Sequence, residues 1–181
     1  ISILPSIAQN FEVGESGSFP IVGESAAPIV VSDAEAEVVH TIASAVSGDI
    51  KAVTGKTPLI VNSITSGTMP IIAGTIGTSQ IISDLVSSGK LDVSSVEGKW
   101  EAYGIKVVEN PLEGVERALV VYGSQSRSTA YALLDVSKEC GVSPWIWWAD
   151  VNPEPKSQLW ATGEKIVGTP SVKYRGIFLN D

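Results

Sequence analysis

Two strand-to-helix turns carry the residue types that hold anions. One is Ala73-Gly74-Thr75-Ile76-Gly77-Thr78, and the other is Tyr122-Gly123-Ser124-Gln125-Ser126-Arg127-Ser128-Thr129. Glycine lets the backbone come close, and the free N–H groups at a helix start favour phosphate or carboxylate. Neither turn completes G-x-G-x-x-G, and neither has the Lys-Ser/Thr of a Walker loop. The plainer reading is that Gly makes each turn while Ser or Thr caps the helix. Arg127 is the charged group placed to read a ligand or partner carboxylate. The single His40 lies beside the apolar stripe of a predicted helix, with no Ser or Cys nucleophile near it in a known pattern. The single Cys140 lies on the buried side of a helix end and reads as an inert thiol. One Cys and one His exclude an internal disulfide and a Cys/His zinc site. No D-x-D-x-D-G loop is present, so neither a metal nor a cofactor is expected.

The densest aromatic stretch is Val142-Ser143-Pro144-Trp145-Ile146-Trp147-Trp148-Ala149-Asp150-Val151, with three of the five Trp. Read as extended chain, Trp145 and Trp147 point one way and Ile146 and Trp148 the other. Both faces are then apolar, and at least one must meet something besides the domain's own sheet. Packing against a neighbouring domain is one partner, and stacking on sugar rings is another. Trp145, Trp147, Trp148, Asp150 and Arg127 are the candidate contacts.

These groups need elements to hold them. Residues 1–27 read as one or two edge strands, with apolar pieces Ile1–Leu4 and Phe19–Val22. Pro28–Val31 is a short β-branched run, a buried strand. Ser32-Asp33-Ala34-Glu35 then has the form of a capping box, in which the Ser hydroxyl and the Glu carboxylate satisfy N–H groups at a helix start. Val39, Ile42, Ala43, Val46, Ile50 and Val53 recur at helical spacing, which predicts a helix over 33–54 ended by Gly55. Pro58–Asn62 and Pro70–Gly74 read as strands, and Thr78 as the cap of a short helix carrying Ile81, Ile82, Leu85 and Val86. A hairpin over Trp100–Glu109 and Arg117–Tyr122 follows. A helix over 126–140 comes next, with Ala130, Leu133, Leu134, Ser137 and Cys140 inward, and then strands over 157–162 and 171–179. Helices alternate with strands, but hairpins interrupt them. The fold class is α/β, a mixed β-sheet with packed helices.

Composition narrows the function. With 181 residues the chain is large enough for one domain with a core. The 44% hydrophobic and 18% charged fractions are those of a globular protein. A net charge of −8 without a basic stripe argues against nucleic-acid partners. No run of about 18 apolar residues is present to span a membrane. The chain starts at Ile1 and ends just past a strand-like run, which reads as a piece of a longer, secreted protein.

Three pieces together resemble a known family. Tyr122–Leu134 resembles the pattern G-S-x-x-R-x-T-A-Y-x-L, Val142–Val151 resembles G-V-S-P-W-x-W-W-A-D-V, and Lys173–Asp181 resembles K-Y-R-G-I-F-x-N-D. In this order and spacing they are similar to the N-terminal domain of glycoside hydrolase family 115, the xylan α-glucuronidases. The resemblance implies an α/β domain like the small one that precedes the barrel in β-hexosaminidases. It divides the chain into an accessory domain over 1–170 and the first strand of a (β/α)₈ barrel over 171–181. It also implies an extracellular enzyme that releases (4-O-methyl)glucuronic acid from glucuronoxylan with inversion, partnered by its own C-terminal barrel. Asn180 and Asp181 are the expected active-site residues, at the end of that strand, and no general acid or base is identified. The 181-residue segment by itself is expected to be accessory and inactive. A free-standing α/β module that binds a ligand through the 123–129 Gly-Ser loop, or a purely structural domain, are the alternatives.

Overall fold

The computed structural model describes residues 10–176, except the side chains of Trp147 and Trp148. In chain order the strands and helices are β1 (Glu12–Gly14), β2 (Phe19–Val22), β3 (Ile29–Val31), α1 (Glu37–Thr54), β4 (Ile60–Val61), β5 (Ile71–Thr75) and α2 (Gln80–Ser87). They continue with β6 (Tyr103–Leu112), β7 (Val115–Gly123), α3 (Ser126–Glu139), α4 (Ile146–Ala149), β8 (Leu159–Thr162) and β9 (Glu164–Val167).

The main sheet has the order β4-β3-β5-β7-β6-β9. Strands β4, β3, β5 and β7 run parallel, while β6 is antiparallel to both β7 and β9. This is the mixed α/β sheet that the alternation of patterns predicts. β3 and β5 are buried along their whole length, as parallel strands covered on both faces must be. Alternation along the strands sends Ile29, Val31, Ile71, Ala73, Leu119 and Val121 to one face, where α1, α3 and a small β1-β8-β2 sheet close the core. Ile72, Ala118, Val120 and Tyr122 face the other way, against Ile82 and Leu85 of α2 and Leu91, Val93 and Val96 of the following loop.

Several boundaries depart from the sequence expectation. The first helix starts at Glu37, and its cap residue Ala36 offers no side chain to it. The Ser32 hydroxyl accepts from the nearby Ala34 N–H rather than from the helix, and Glu35 turns inward. The capping-box pattern here marks a tertiary contact rather than a helix start. Ser79, not Thr78, caps α2 by accepting from the Ile82 N–H. Leu134 is 42% exposed rather than inward, because α1 covers the adjacent face of α3 and leaves this one open. The Trp-rich segment is a helical turn, α4, not extended chain. Its start is Ser143-Pro144: the Ser143 hydroxyl accepts from the Trp145 N–H, and its carbonyl accepts from Ile146. Residues 171–176 run as bends and irregular chain, and 177–181 lie outside the described residues. The last strand described is β9, which the sequence reading missed along with β1.

Gly104 shows how tightly the hairpin is packed. It pairs with Tyr122 across β6 and β7, and the Tyr ring lies over it. A methyl group on Gly104 would stand 2.3 Å from Tyr122 Cζ. Gly48, in α1, has nothing within 4 Å of the same position. Gly104→Ala is therefore expected to lower stability by about 1–3 kcal/mol through overpacking. Gly48→Ala is expected to raise it by about 0.5–1 kcal/mol through helix propensity. Urea unfolding of the two variants checks both signs.

Candidate functional site

β3, β5 and β7 end on one side of the sheet, and β6 begins there, because Tyr103 pairs with Gly123. β9 also finishes there, with Val167 opposite Tyr103. The chain order reverses direction between β3, whose successor β4 lies on one side, and β5, whose parallel successor β7 lies on the other. In open α/β sheets such a reversal leaves a crevice in which ligands bind.

Here the crevice holds the protein's own carboxylate. Glu35, 6% exposed, accepts from the Thr75 N–H at 2.7 Å and from the Thr75 hydroxyl at 2.7 Å. The Thr129 hydroxyl lies 2.9 Å from that of Thr75. The Thr75 proton goes to the carboxylate, so Thr129 donates to Thr75. Both Gly-rich turns are drawn into packing in the same way. A side chain on Gly123 would stand 2.3 Å from the Thr129 backbone N, so glycine is what lets α3 start against β7. The Ser128 hydroxyl accepts from the Gln125 N–H and donates to the Gln125 carbonyl. The 123–129 turn is thus a packing joint, with Ser128 bonded to the turn's own backbone and Thr129 to Thr75.

Arg127, by contrast, points out of the turn. Its guanidinium donates to Glu101 at 3.2 Å and stays 63% exposed. Glu101 has a side chain only 2% exposed and also binds Arg175. The hydrogen bond from Arg175, with help from Arg127, outweighs burial and holds the Glu101 carboxyl below the ordinary carboxylate range. Lys173 sits over the Trp100 ring, 5.0 Å from its centre. The Trp100 indole N–H is buried without a partner among the described residues. None of Trp100, Glu101 or Arg175 stood out in the sequence as a site residue. The signal available was the Arg in K-Y-R-G, whose partner lies 74 residues away.

A cleft of about 280 Å³ opens beside this cluster, lined by Glu101, Tyr103, Tyr131, Gly168, Pro170 and Arg175. Tyr103 and Tyr131 also line a second cavity of about 370 Å³ that runs along α3 past Leu134 and Asp135 to Pro144 and Ile146. Asp135 accepts from the Tyr103 hydroxyl at 3.1 Å and pairs with Lys165 at 2.7 Å. Burial and the Asp135 charge keep the Tyr103 phenol protonated far above its ordinary range.

The other sequence candidates scatter. Trp145 is 62% exposed beyond the far end of α3. It is separated from Arg127 by a helix about 20 Å long. Asp150 stops α4 in a left-handed conformation and is exposed. Asn180 and Asp181 lie outside the described residues. His40 borders a separate cavity with Asp33 and Asn62, whose side chains hydrogen-bond at 2.9 Å. Burial raises the Cys140 thiol to about 12, which leaves it protonated and unreactive at neutral pH. Among the described residues no three His, Cys, Asp or Glu side chains converge on a metal-sized site.

Comparison with known proteins places this arrangement. No family model matches the sequence, and no curated protein matches it. Among solved structures, the chain is similar to BtGH115A, a family GH115 4-O-methyl-α-glucuronidase with specificity for decorated arabinogalactans. The identity is 34% and the TM-score 0.65, over 82% of this chain and 18% of that one. CpGH84D matches at 12% identity with a TM-score of 0.50, over 92% of this chain and 23% of that one. The second likeness concerns the fold alone, and it fits the small α/β domain expected from β-hexosaminidases. The chain spans about a fifth of the length of either structure.

Two outcomes follow from the buried carboxylates. Glu35→Ala leaves Thr75 donors without their charged acceptor, and stability is expected to fall by about 1.5–3 kcal/mol in urea unfolding. For Glu101, the folded carboxyl has the lower pKa. Its stabilising contribution is complete above the unfolded value of about 4.3 and is lost as pH falls through the folded value. Unfolding measured between about pH 5 and pH 3 is expected to show a steeper acid loss in the wild type than in Glu101→Gln.

Proposed function

Since this chain is a domain of the glycoside hydrolase family 115 kind, matching that family's N-terminal domain, we propose that the intact protein is a secreted α-glucuronidase. It releases (4-O-methyl)glucuronic acid from glucuronoxylan. The observation that carries this reading is the 34% identity with BtGH115A over 82% of the chain. The three motifs in Tyr122–Leu134, Val142–Val151 and Lys173–Asp181 support it.

The described residues have an accessory role in this reading. Their two buried carboxylates, Glu35 and Glu101, are bound to Thr75 and to two arginines. Neither is poised to donate or take a proton at a glycosidic bond. Tyr131 and Leu134 on α3 are exposed along the larger cleft, and Trp145 is exposed at the start of α4. That apolar face packs on the following barrel, and Arg175 leads the chain into it. Asn180 and Asp181 then stand at the end of the first barrel strand, the catalytic end of such barrels, and hydrogen-bond sugar hydroxyls.

The reaction needs two carboxyl groups supplied by the rest of the protein. One protonates the xylosyl oxygen as it leaves. The other takes a proton from water, which attacks the anomeric carbon from the opposite face. Inversion requires about 6.5–9.5 Å between the two, leaving room for that water.

A second reading concerns the polysaccharide. BtGH115A has specificity for decorated arabinogalactans, which makes an arabinogalactan bearing the same uronic acid the competing substrate.

The test is to incubate the intact protein and the 181-residue chain separately with glucuronoxylan and with decorated arabinogalactan. Release of free uronic acid is followed, with its first-formed anomer read by NMR. The expected result is release of the inverted anomer from glucuronoxylan by the intact protein and none by the short chain. Release from arabinogalactan alone selects the second reading. No release from either polysaccharide overturns the α-glucuronidase assignment.

A further inference from the structure

The residues just before 177 are held at two successive points of one short loop. Lys173 lies over the Trp100 ring, and Arg175 binds the Glu101 carboxylate. Arg175 also donates to the Val172 carbonyl at 2.6 Å, so one guanidinium closes the local turn of the segment and ties it to the domain. The loop itself is built at a cost. Glu101 has φ +51°, a left-handed conformation that a long side chain rarely adopts. Strain of this kind persists only where the surroundings enforce it, and it concentrates at functional positions. The neighbours that enforce it are visible. The Ala102 carbonyl accepts from the Ser124 N–H, which fixes the loop against the end of β7. Arg127 approaches from the start of α3 and holds the second side of the carboxylate.

From these observations we propose that Trp100 and Glu101 form a clamp that fixes the direction in which the chain leaves the domain. In the intact protein this makes Glu101 a positioning residue for the active site. The second part rests on the α-glucuronidase reading, in which residues 177–181 enter the catalytic domain. Arg127, bound to Glu101 but not to the leaving segment, stiffens the clamp and is not its grip. The strained backbone holds the buried carboxylate under the segment, and its pairing with the half-exposed Arg175 guanidinium sets the register of Arg175. A displacement of about 1 Å at the start of the next element is enough to misplace groups that must meet a substrate.

Trypsin tests the clamp directly, because it must draw the side chain of Lys173 or Arg175 into its own pocket to cut. Glu101→Gly is the informative variant: it removes the carboxylate while admitting the positive φ without strain, so loss of folding does not confound it. Cleavage after Lys173 and Arg175 is expected to be at least about ten-fold faster in Glu101→Gly than in the wild-type chain. Cleavage after Lys90, in another part of the fold, serves as the reference and is expected to be unchanged. Arg127→Ala is expected to leave the protection largely in place. Equal cleavage of wild type and Glu101→Gly after Arg175 overturns the clamp. In the intact protein, assayed well below its unfolding midpoint, Glu101→Gly is expected to lower kcat by about ten- to a hundred-fold with little change in KM. An unchanged kcat, with protection lost, overturns the positioning role. If the wild-type intact protein releases no uronic acid, the functional reading fails, while the trypsin result still decides the clamp.

Discussion

The carboxylate of Glu35 is the contact on which the arrangement of this domain turns. It reaches from the connection between β3 and α1 to the last residue of β5, and through Thr75 to Thr129 in the first turn of α3. Three separate elements meet at that point, and each contributes a polar group that has no water to turn to. A buried hydrogen-bonded network of this kind is stable only when every member is satisfied. It therefore fixes the mutual position of β5, α3 and the start of α1 more strictly than apolar packing alone would. The helix α1 begins at Glu37, four residues later than the sequence pattern suggests, because Glu35 is committed to this contact.

The same contact closes the crevice that this class of sheet normally offers to a ligand. The Gly-rich turns at 74 and 123 look like phosphate loops in sequence. In the fold they admit helix starts that pack directly against strand ends. The chemistry left over lies to one side, where Glu101, Arg127 and Arg175 meet beside Tyr103 and Tyr131. In the proposed reading, a domain that has filled its own ligand crevice and exposes Tyr131 and Leu134 beside a cleft is suited to holding another domain rather than a small molecule.

The order of strands and helices from β3 to α3 is legible in the sequence, because burial imposes a period on each element separately. Val39, Ala43, Val46, Ile50 and Val53 line one side of α1, and all are buried. The runs at 71–75 and 118–123 are apolar because inner strands have no solvent face. The mixed sheet follows from the hairpin inserted among parallel units. Short motifs were less faithful. Val142–Val151 reads as a strand by its aromatic density, yet Ser143-Pro144 starts a helical turn there. Leu134 fits the apolar stripe of α3, but which part of that stripe is covered depends on where α1 lies.

What the sequence by itself determined is the set of local decisions: periodicity, turn glycines, the α/β class and the motifs shared with family 115. Each is fixed by residues close together along the chain. What only the tertiary structure decided is which polar groups meet. Glu35 and Thr75 are 40 residues apart, and Glu101 and Arg175 are 74 apart. No spacing rule links such pairs, because their approach is set by the stacking of strands and helices. A charge in the sequence carries no mark of its partner. Glu35 looked like a helix cap and Glu101 like an ordinary surface acid until the fold removed both from water, and with water gone only those partners could satisfy them.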